Sequence, residues 1–395
     1  MPKLSQIKKA IETEYLNESL KRGVLMKPIR ILHFGIVGGL GGVDTFLMNL
    51  YKHIDREKVQ FDFILNHDTR AYFQDEFEAM GAKIYPIMYS KRECVLKHNH
   101  ILDNFFKEHT EISGVHMHMN FIRYYAPLVY AKKYNVPIRI YHSHNSQDMY
   151  PSKSIIKEVT EAIARKNIGK YTTDLFACSN IAGKYMFEDK SFKVIKNAIE
   201  TDKYVFNENI RIAKRKELGV GDKFVVGFVG RLQYQKNPEF IIDIFNELHK
   251  KMPNSVLAMV GVGRLEEKVR EKMSIYNIQD SVLMLGKRDD VAELLQAFDC
   301  FLLPSRFEGL GIVAIEAQTA GLPCFLSDAV PEETNITDLA TYISLNNSAD
   351  EWANEILNKS IGLNRRNVQQ KIINAGYDIK NMAKDMESYY LNHTL

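Results

Sequence analysis

The sequence is poor in everything that marks a secreted, membrane-spanning or disordered chain. Its four cysteines, Cys94, Cys178, Cys300 and Cys324, are scattered without a CxxC pair, which excludes a disulfide framework or a cysteine-built zinc site. The longest apolar runs, such as Phe224–Gly230 and Leu310–Ile315, fall far short of the roughly 20 residues that span a bilayer. The first fifteen residues, MPKLSQIKKAIETEY, lack the apolar core of a signal peptide. A soluble protein of a reducing cytosol is expected. There is no zinc-finger spacing and no dense basic-aromatic stripe, so no nucleic-acid partner is expected. No Asp-x-Asp occurs anywhere in the chain.

What is present is ordinary globular composition over two domains' worth of chain: 395 residues, 45% hydrophobic, with a formal charge of +3. The small total hides an asymmetry. Residues 1–200 carry 29 Lys+Arg against 22 Asp+Glu, and the rest 23 against 27. Ten of the twelve histidines also fall in the first half. Drift in composition explains this, or the first half faces something anionic such as a membrane surface.

Residues 4–20 space Leu4, Ile7, Ile11, Leu16 and Leu20 as an amphipathic helix, and 1–28 form a helical extension. From Ile29 short apolar strands alternate with helices: IRILHFG, VDTFLMNLYKHI, VQFDFIL, AYFQDEFEAMG, AKIYPI, HILDNFFKEH, GVHMHMN, YYAPLVYAKKYN and PIRIYHSH. That order predicts a parallel sheet covered by helices on both faces. The pattern restarts at FVVGFVG, with Asn237-Pro238 as the capped start of the next helix. The fold class is therefore α/β, with two Rossmann-like doubly wound domains, 29–200 and 201–377. The polar stretch 197–222 is expected to be an irregular hinge. Ligands in such sheets bind beyond the carboxyl ends of the strands, so four loops carry the candidate chemistry.

The loop Gly38–Gly42 precedes a helix, and Gly41 and Gly42 leave room for a phosphate or sugar at its N-terminus. The strand VQFDFIL is followed by Asn66 and His67 rather than the acid a dinucleotide ribose requires, which argues against a dehydrogenase. In the loop after FVVGFV, Arg231 and Lys236 are placed to converge on one diphosphate. Gly261 and Gly263 form a turn that walls a nucleotide, and Lys287 and Arg288 follow another strand towards the same cleft. The fourth loop, PSRFEGLGIVAIE, sets Glu308 ahead of Gly309, Leu310 and Gly311, with Glu316 two helical turns on. A bare carboxylate among apolar residues is costly to bury, so Glu316 must line a cleft or be paired. Two carboxylates framing a glycine turn suit sugar and ribose hydroxyls. Each loop also has a plainer explanation, a tight turn or solvated charges; the strand–loop–capped-helix setting weighs against it for Arg231 and Lys236, and the fourth loop resists it most.

These residues resemble the Glu-x7-Glu motif of family 4 GT-B glycosyltransferases, retaining enzymes that use nucleotide-sugar donors. The resemblance runs from residue 29 to about 390, and GLGIVAIEAQTAGLPC is similar to bacterial exopolysaccharide and capsule transferases. It implies that Gly41-Gly42 is the N-terminal glycine loop and Arg231 with Lys236 the diphosphate-binding pair. It implies that Gly261-Val262-Gly263 lines the donor, Glu308 and the Gly309–Gly311 amides hold the transferred sugar, and Glu316 holds the ribose. His142, ending the strand PIRIY, is the implied active-site histidine, with His144 the acceptor-side alternative. His116 and His118 show no third ligand and are expected to pack or line the cleft, so no metal is expected. The last helix, within 378–395, is expected to cross back onto the first domain through Met382, Met386 and Tyr390. No cofactor is implied. The partners are a UDP-sugar or similar donor, a glycan or lipid-linked acceptor, and an anionic membrane at the inner face. The alternatives are a nucleotide-sugar 2-epimerase and a non-catalytic sugar-nucleotide-binding subunit.

Overall fold

A computed structural model describes residues 27–36, 41–65, 70–87, 95–147 and 154–394. The expected helix at 4–20, Gly38–Leu40 and Asn66–His67 lie outside these. Two parallel sheets form. The first contains β1 (Ile29–Phe34), β2 (Val59–Leu65), β3 (Ile84–Pro86), β4 (Ile112–Met119), β5 (Ile138–Ser143), β6 (Asp174–Ala177) and β7 (Lys193–Val194), in the order β3-β2-β1-β4-β5-β6-β7. The second contains β8 (Phe224–Val229), β9 (Ser255–Val260), β10 (Val282–Gly286), β11 (Cys300–Leu303), β12 (Cys324–Ser327) and β13 (Ala340–Ile343), in the order β10-β9-β8-β11-β12-β13. This is the GT-B architecture. In each sheet the order reverses beside the first strand, between β1 and β4 and between β8 and β11, and the crevice at such a reversal is where ligands enter.

Alternation along the strands divides the first sheet into two buried faces. Leu32, Phe34, Val115, Met117 and Tyr141 pack on one side; Ile31, Phe61, Phe63, Ile138, Ile140 and Phe176 pack on the other. The second face is covered by helix Gly42–His53 and by helix Ile379–His393, which buries Met382, Met386 and Tyr390 against it. Lys58 and the Asp55 amide both reach Glu387 on that last helix, at 3.2 and 3.0 Å. The C-terminal helix is thus part of the N-terminal body. The second sheet has its own core, anchored by the single tryptophan, Trp352, whose Nε1 donates to the Ser344 carbonyl at 3.1 Å.

The chain passes between the two bodies at Ile199 and again at Asp378, and the passages are bonded to each other. Ile199 N donates to Tyr377 O at 2.9 Å and Ile379 N to Ile199 O at 3.0 Å. The expectation of an irregular 197–222 is corrected: Glu208–Leu218 is helical, capped by the Asn207 side chain and closed by Gly219 at φ 66°. Both signals stood in the sequence, but a helix with so few apolar residues has little periodicity to betray it. Helix Ile155–Ile168 and helix Asn180–Phe187 likewise carry weak inward-facing patterns.

Candidate active site between the two sheets

The carboxyl end of β11 runs through Pro304–Gly311 into helix Ile312–Thr319, and Gly311 caps that helix at φ 83°. The conformation is left-handed, where a side chain is strained. Glu308 sits in this turn, 5% exposed. Its Oε1 accepts from Lys236 Nζ at 2.6 Å and from Ser305 Oγ at 2.6 Å, and its Oε2 accepts from Gln235 Nε2 at 3.3 Å. Lys236 arrives from the short helical turn Tyr234–Lys236 beyond β8. Charge-assisted bonds of this length are the strong ones, so the pair fixes the two loops to each other. Arg231, in the same loop, is exposed.

Glu316 lies about one turn into its helix and is 9% exposed. Tyr204 Oη donates to its Oε1 at 2.9 Å. Burial pushes its carboxyl up to about 7, while the Tyr204 hydrogen bond and the charge on Lys236 hold it lower. Lys236 therefore acts electrostatically on both glutamates. Asn237 does stand at the helix start with Pro238 behind it, yet it caps no N–H. It is left-handed at φ 55°, and its Oδ1 accepts from Arg306 at 2.8 Å.

The glycine turn Gly261–Gly263 is required by packing. A Cβ on Gly261 would lie 2.0 Å from Gly230 O, and one on Gly263 2.3 Å from Leu232 O. Those contacts press the turn against the Arg231 loop. Gly42 is different: among the described residues a Cβ there meets nothing within 4 Å.

The first body closes directly on the Glu308 turn. Ser146 Oγ donates to Glu308 O and Ser179 Oγ to Gly309 O, each at 2.5 Å. A Cβ on Gly309 would stand 2.2 Å from His144 O. Leu310 buries its side chain in the N-terminal core, leaving only its backbone to the cleft. Farther along, Tyr72 Oη donates to Asp289 at 2.8 Å, and Lys287 lies 3.4 Å over the Tyr72 ring. Arg288 is not brought to this site. Its guanidinium is held by Asp290 and Glu217, at 2.6 and 2.7 Å, in an ion-pair cluster with Lys214.

The histidines of β1, β4 and β5 form two hydrogen-bonded rows on the sheet face beneath helix Gly42–His53. His33 Nδ1 meets His118 Nε2 at 3.0 Å, and His118 Nδ1 meets His144 Nε2 at 2.9 Å. In the second row Tyr390 Oη meets His116 Nδ1 at 2.8 Å, and His116 Nε2 meets His142 Nδ1 at 3.1 Å. Registers His33↔His116 and His118↔His142 bring the rings together. Burial lowers the pKa of every one, to about 3 for His33 and His144. All are neutral, so each ring offers one N–H and one lone pair, and each row must run in one direction. With the Tyr390 hydroxyl donating, His116 carries its proton on Nε2, and so does His142.

His142 is 0% exposed, which corrects its expected place against the donor sugar. Its ring contacts Phe46, edge-on at 5.8 Å, and the cleft-side end of the cluster is His144. The nitrogens of His118, His142 and His144 lie within 4.8 Å of one another, as do those of His33, His116 and His118. Either set could ligate a borderline divalent ion, but ring-to-ring hydrogen bonds already satisfy most of these nitrogens. Sequence reasoning missed Tyr204, Ser305, Ser146 and Ser179. Serines and tyrosines carry no spacing signal; Tyr204, Ser146 and Ser179 are recruited across elements, and Ser305 stands in the Glu308 turn itself.

Comparison with known proteins agrees with this fold. Residues 210–378 match the family of group 1 glycosyl transferases. The chain is 28% identical over 361 residues to the putative glycosyltransferase EpsF of Bacillus subtilis, covering 88% of this chain and 93% of that one. It is 25% identical over 382 residues to the capsular polysaccharide biosynthesis glycosyltransferase CapH of Staphylococcus aureus, covering 93% and 100%. Among solved structures it superimposes on Anabaena Alr3699/HepE, seen in complex with UDP and glucose, with TM-score 0.70 and 18% identity over 93% of this chain and 99% of that one. The fold is GT-B, and the likeness to group 1 glycosyl transferases supports a glycosyltransferase.

Proposed function

We propose that the protein is a retaining, metal-independent transferase of the family 4 kind, moving a sugar from a UDP-sugar to a lipid-linked glycan in exopolysaccharide or capsule synthesis. The observation that carries this is the Lys236–Glu308 pair at 2.6 Å, with Glu316 in reach of the same ammonium, at the mouth between two Rossmann-like bodies. Arg231 and Lys236 neutralise the leaving diphosphate, the electrostatic contribution that usually dominates group transfer. Lys236 exchanges Glu308 for phosphate as the donor enters, which frees Glu308 to accept from the sugar hydroxyls. Glu316 accepts from the ribose, and the Gly309–Gly311 backbone borders the sugar. The donor phosphate takes the acceptor's proton as the new glycosidic bond forms on the face the diphosphate leaves. Imidazoles with such depressed pKa values are poor general bases near neutrality, which supports a positioning role for His144.

The donor and acceptor classes draw support from relatives. A relative 29% identical over 237 residues is an Escherichia coli UDP-Gal:alpha-D-GlcNAc-diphosphoundecaprenol galactosyltransferase, though it spans 56% of this chain. The test is hydrolysis and transfer from UDP-, GDP- and ADP-sugars, with and without EDTA. UDP-sugar turnover unaffected by EDTA, and lost by about 10²–10³-fold in folded Lys236→Ala or Glu308→Ala, is the expected result. Tight donor binding without turnover would favour the non-catalytic subunit, and C2 epimerisation of the donor would favour the epimerase.

A further inference from the structure

Helix Ile155–Ile168 is built inside out. Its protein-facing side holds only Ala164 and Ile168 as buried residues, and the rest of that side is charged. Glu161 pairs with Arg123 at 3.4 Å and Arg165 at 3.7 Å, and Arg165 reaches Glu188 at 3.4 Å. The apolar residues face outward: Ile155 and Ile156 are each 77% exposed, Val159 51% and Ile163 53%. At 100° per residue Ile155, Val159, Ile163 and Lys166 fall on one stripe, with Ala162 and Ile156 at its edges. Phe121, just beyond β4, is also 40% exposed, with Arg123 stacked 5.4 Å over its ring. A contiguous apolar surface of this kind on a soluble body marks a contact site.

We infer that this face seats the protein on an anionic lipid bilayer. The stripe has the pattern of an interfacial helix, with isoleucines to enter the acyl boundary and Lys166 among them to reach the headgroups. The surrounding half of the chain has the basic excess, 29 Lys+Arg against 22 Asp+Glu over residues 1–200, that draws a body to anionic lipid. Position gives the contact a purpose. The helix follows β5 in the chain, and Ser146, between the two, touches the Glu308 turn, which places the helix on the body that would receive a lipid-linked acceptor. That purpose rests on the proposed lipid-linked acceptor; the binding itself does not.

The test is flotation of the full chain with phosphatidylcholine vesicles, with and without phosphatidylglycerol, comparing the protein with an Ile156→Glu, Ile163→Glu variant. Both positions are solvent-facing, so melting temperature and donor hydrolysis stay unchanged. The protein is expected to float with the anionic vesicles, and the variant to partition at least about tenfold less. Equal flotation of the two, or no flotation of the unaltered protein, overturns the proposal. So does a dimer in size-exclusion chromatography that the variant breaks while neither form floats, because a second copy is then the occupant. Failure of donor hydrolysis would sink the transferase assignment and leave the flotation result standing.

Discussion

Acidification tests the histidine rows. His33, His116 and His142 are 0% exposed and His118 3%, and burial lowers the pKa of all four. Unfolded, each titrates near 6.5. The unfolded chain therefore binds more protons than the folded one below about pH 6.5, and stability falls with pH through that window until about 3, the folded value of His33. At about pH 5 His33, with its folded value near 3, costs about 2 kcal/mol, and His116, His118 and His142, lowered by the same burial, add to it in the same direction. A typical domain has only about 5–15 kcal/mol to lose. The first body should therefore unfold near pH 5 while the second, with His249 as its one described histidine, stays folded. Trp352, the single tryptophan, belongs to the second core, so its fluorescence reports that body alone. The expected result is loss of near-ultraviolet tyrosine dichroism and uptake of about four protons, with tryptophan emission still native. A melting temperature unchanged between about pH 7 and 5 would refute the claim that these imidazoles are buried and neutral.

Three further outcomes follow from single contacts. Gly309→Ala places a Cβ 2.2 Å from His144 O; it should force the two bodies apart, measurable by small-angle scattering, with transfer reduced at least about tenfold and a stability cost of about 1–3 kcal/mol. Glu316, with its carboxyl raised to about 7 by burial, accepts ribose hydroxyls best when ionised, so the donor KM should rise as pH falls below about 7. Tyr204→Phe removes a bond that favours the ionised form and should move that inflection to higher pH; an unmoved profile refutes the assignment. Tyr390→Phe removes the hydroxyl bonded to His116 Nδ1, so nitrogen NMR should show His116 and His142 losing a single shared tautomer, while an unchanged spectrum means the row is ordered by something else.

Charge and closure are organised by the same contacts. The Glu308 turn is held from the C-terminal body by Lys236 and from the N-terminal body by Ser146 and Ser179. The passages at Ile199 and Asp378 are bridged to each other.

Sequence by itself determined the two parallel sheets, because buried parallel strands and amphipathic helices repeat with fixed periods that survive without any knowledge of their neighbours. It also determined the loops in which Arg231, Lys236, Glu308 and Glu316 stand, since a strand end, a glycine turn and a helix start are local events. Tertiary structure decided the partners. Lys236 and Glu308 are 72 residues apart and meet only because β8 and β11 are neighbours in the sheet. Tyr204 finds Glu316 across 112 residues, and no spacing rule encodes that. The same holds for the corrections. Arg288 looked available until Glu217 and Asp290 folded onto it, and His142 looked catalytic until helix Gly42–His53 and Tyr390 covered its face of the sheet. Periodicity is a property of the chain, whereas burial and pairing belong to surfaces the chain makes only on folding.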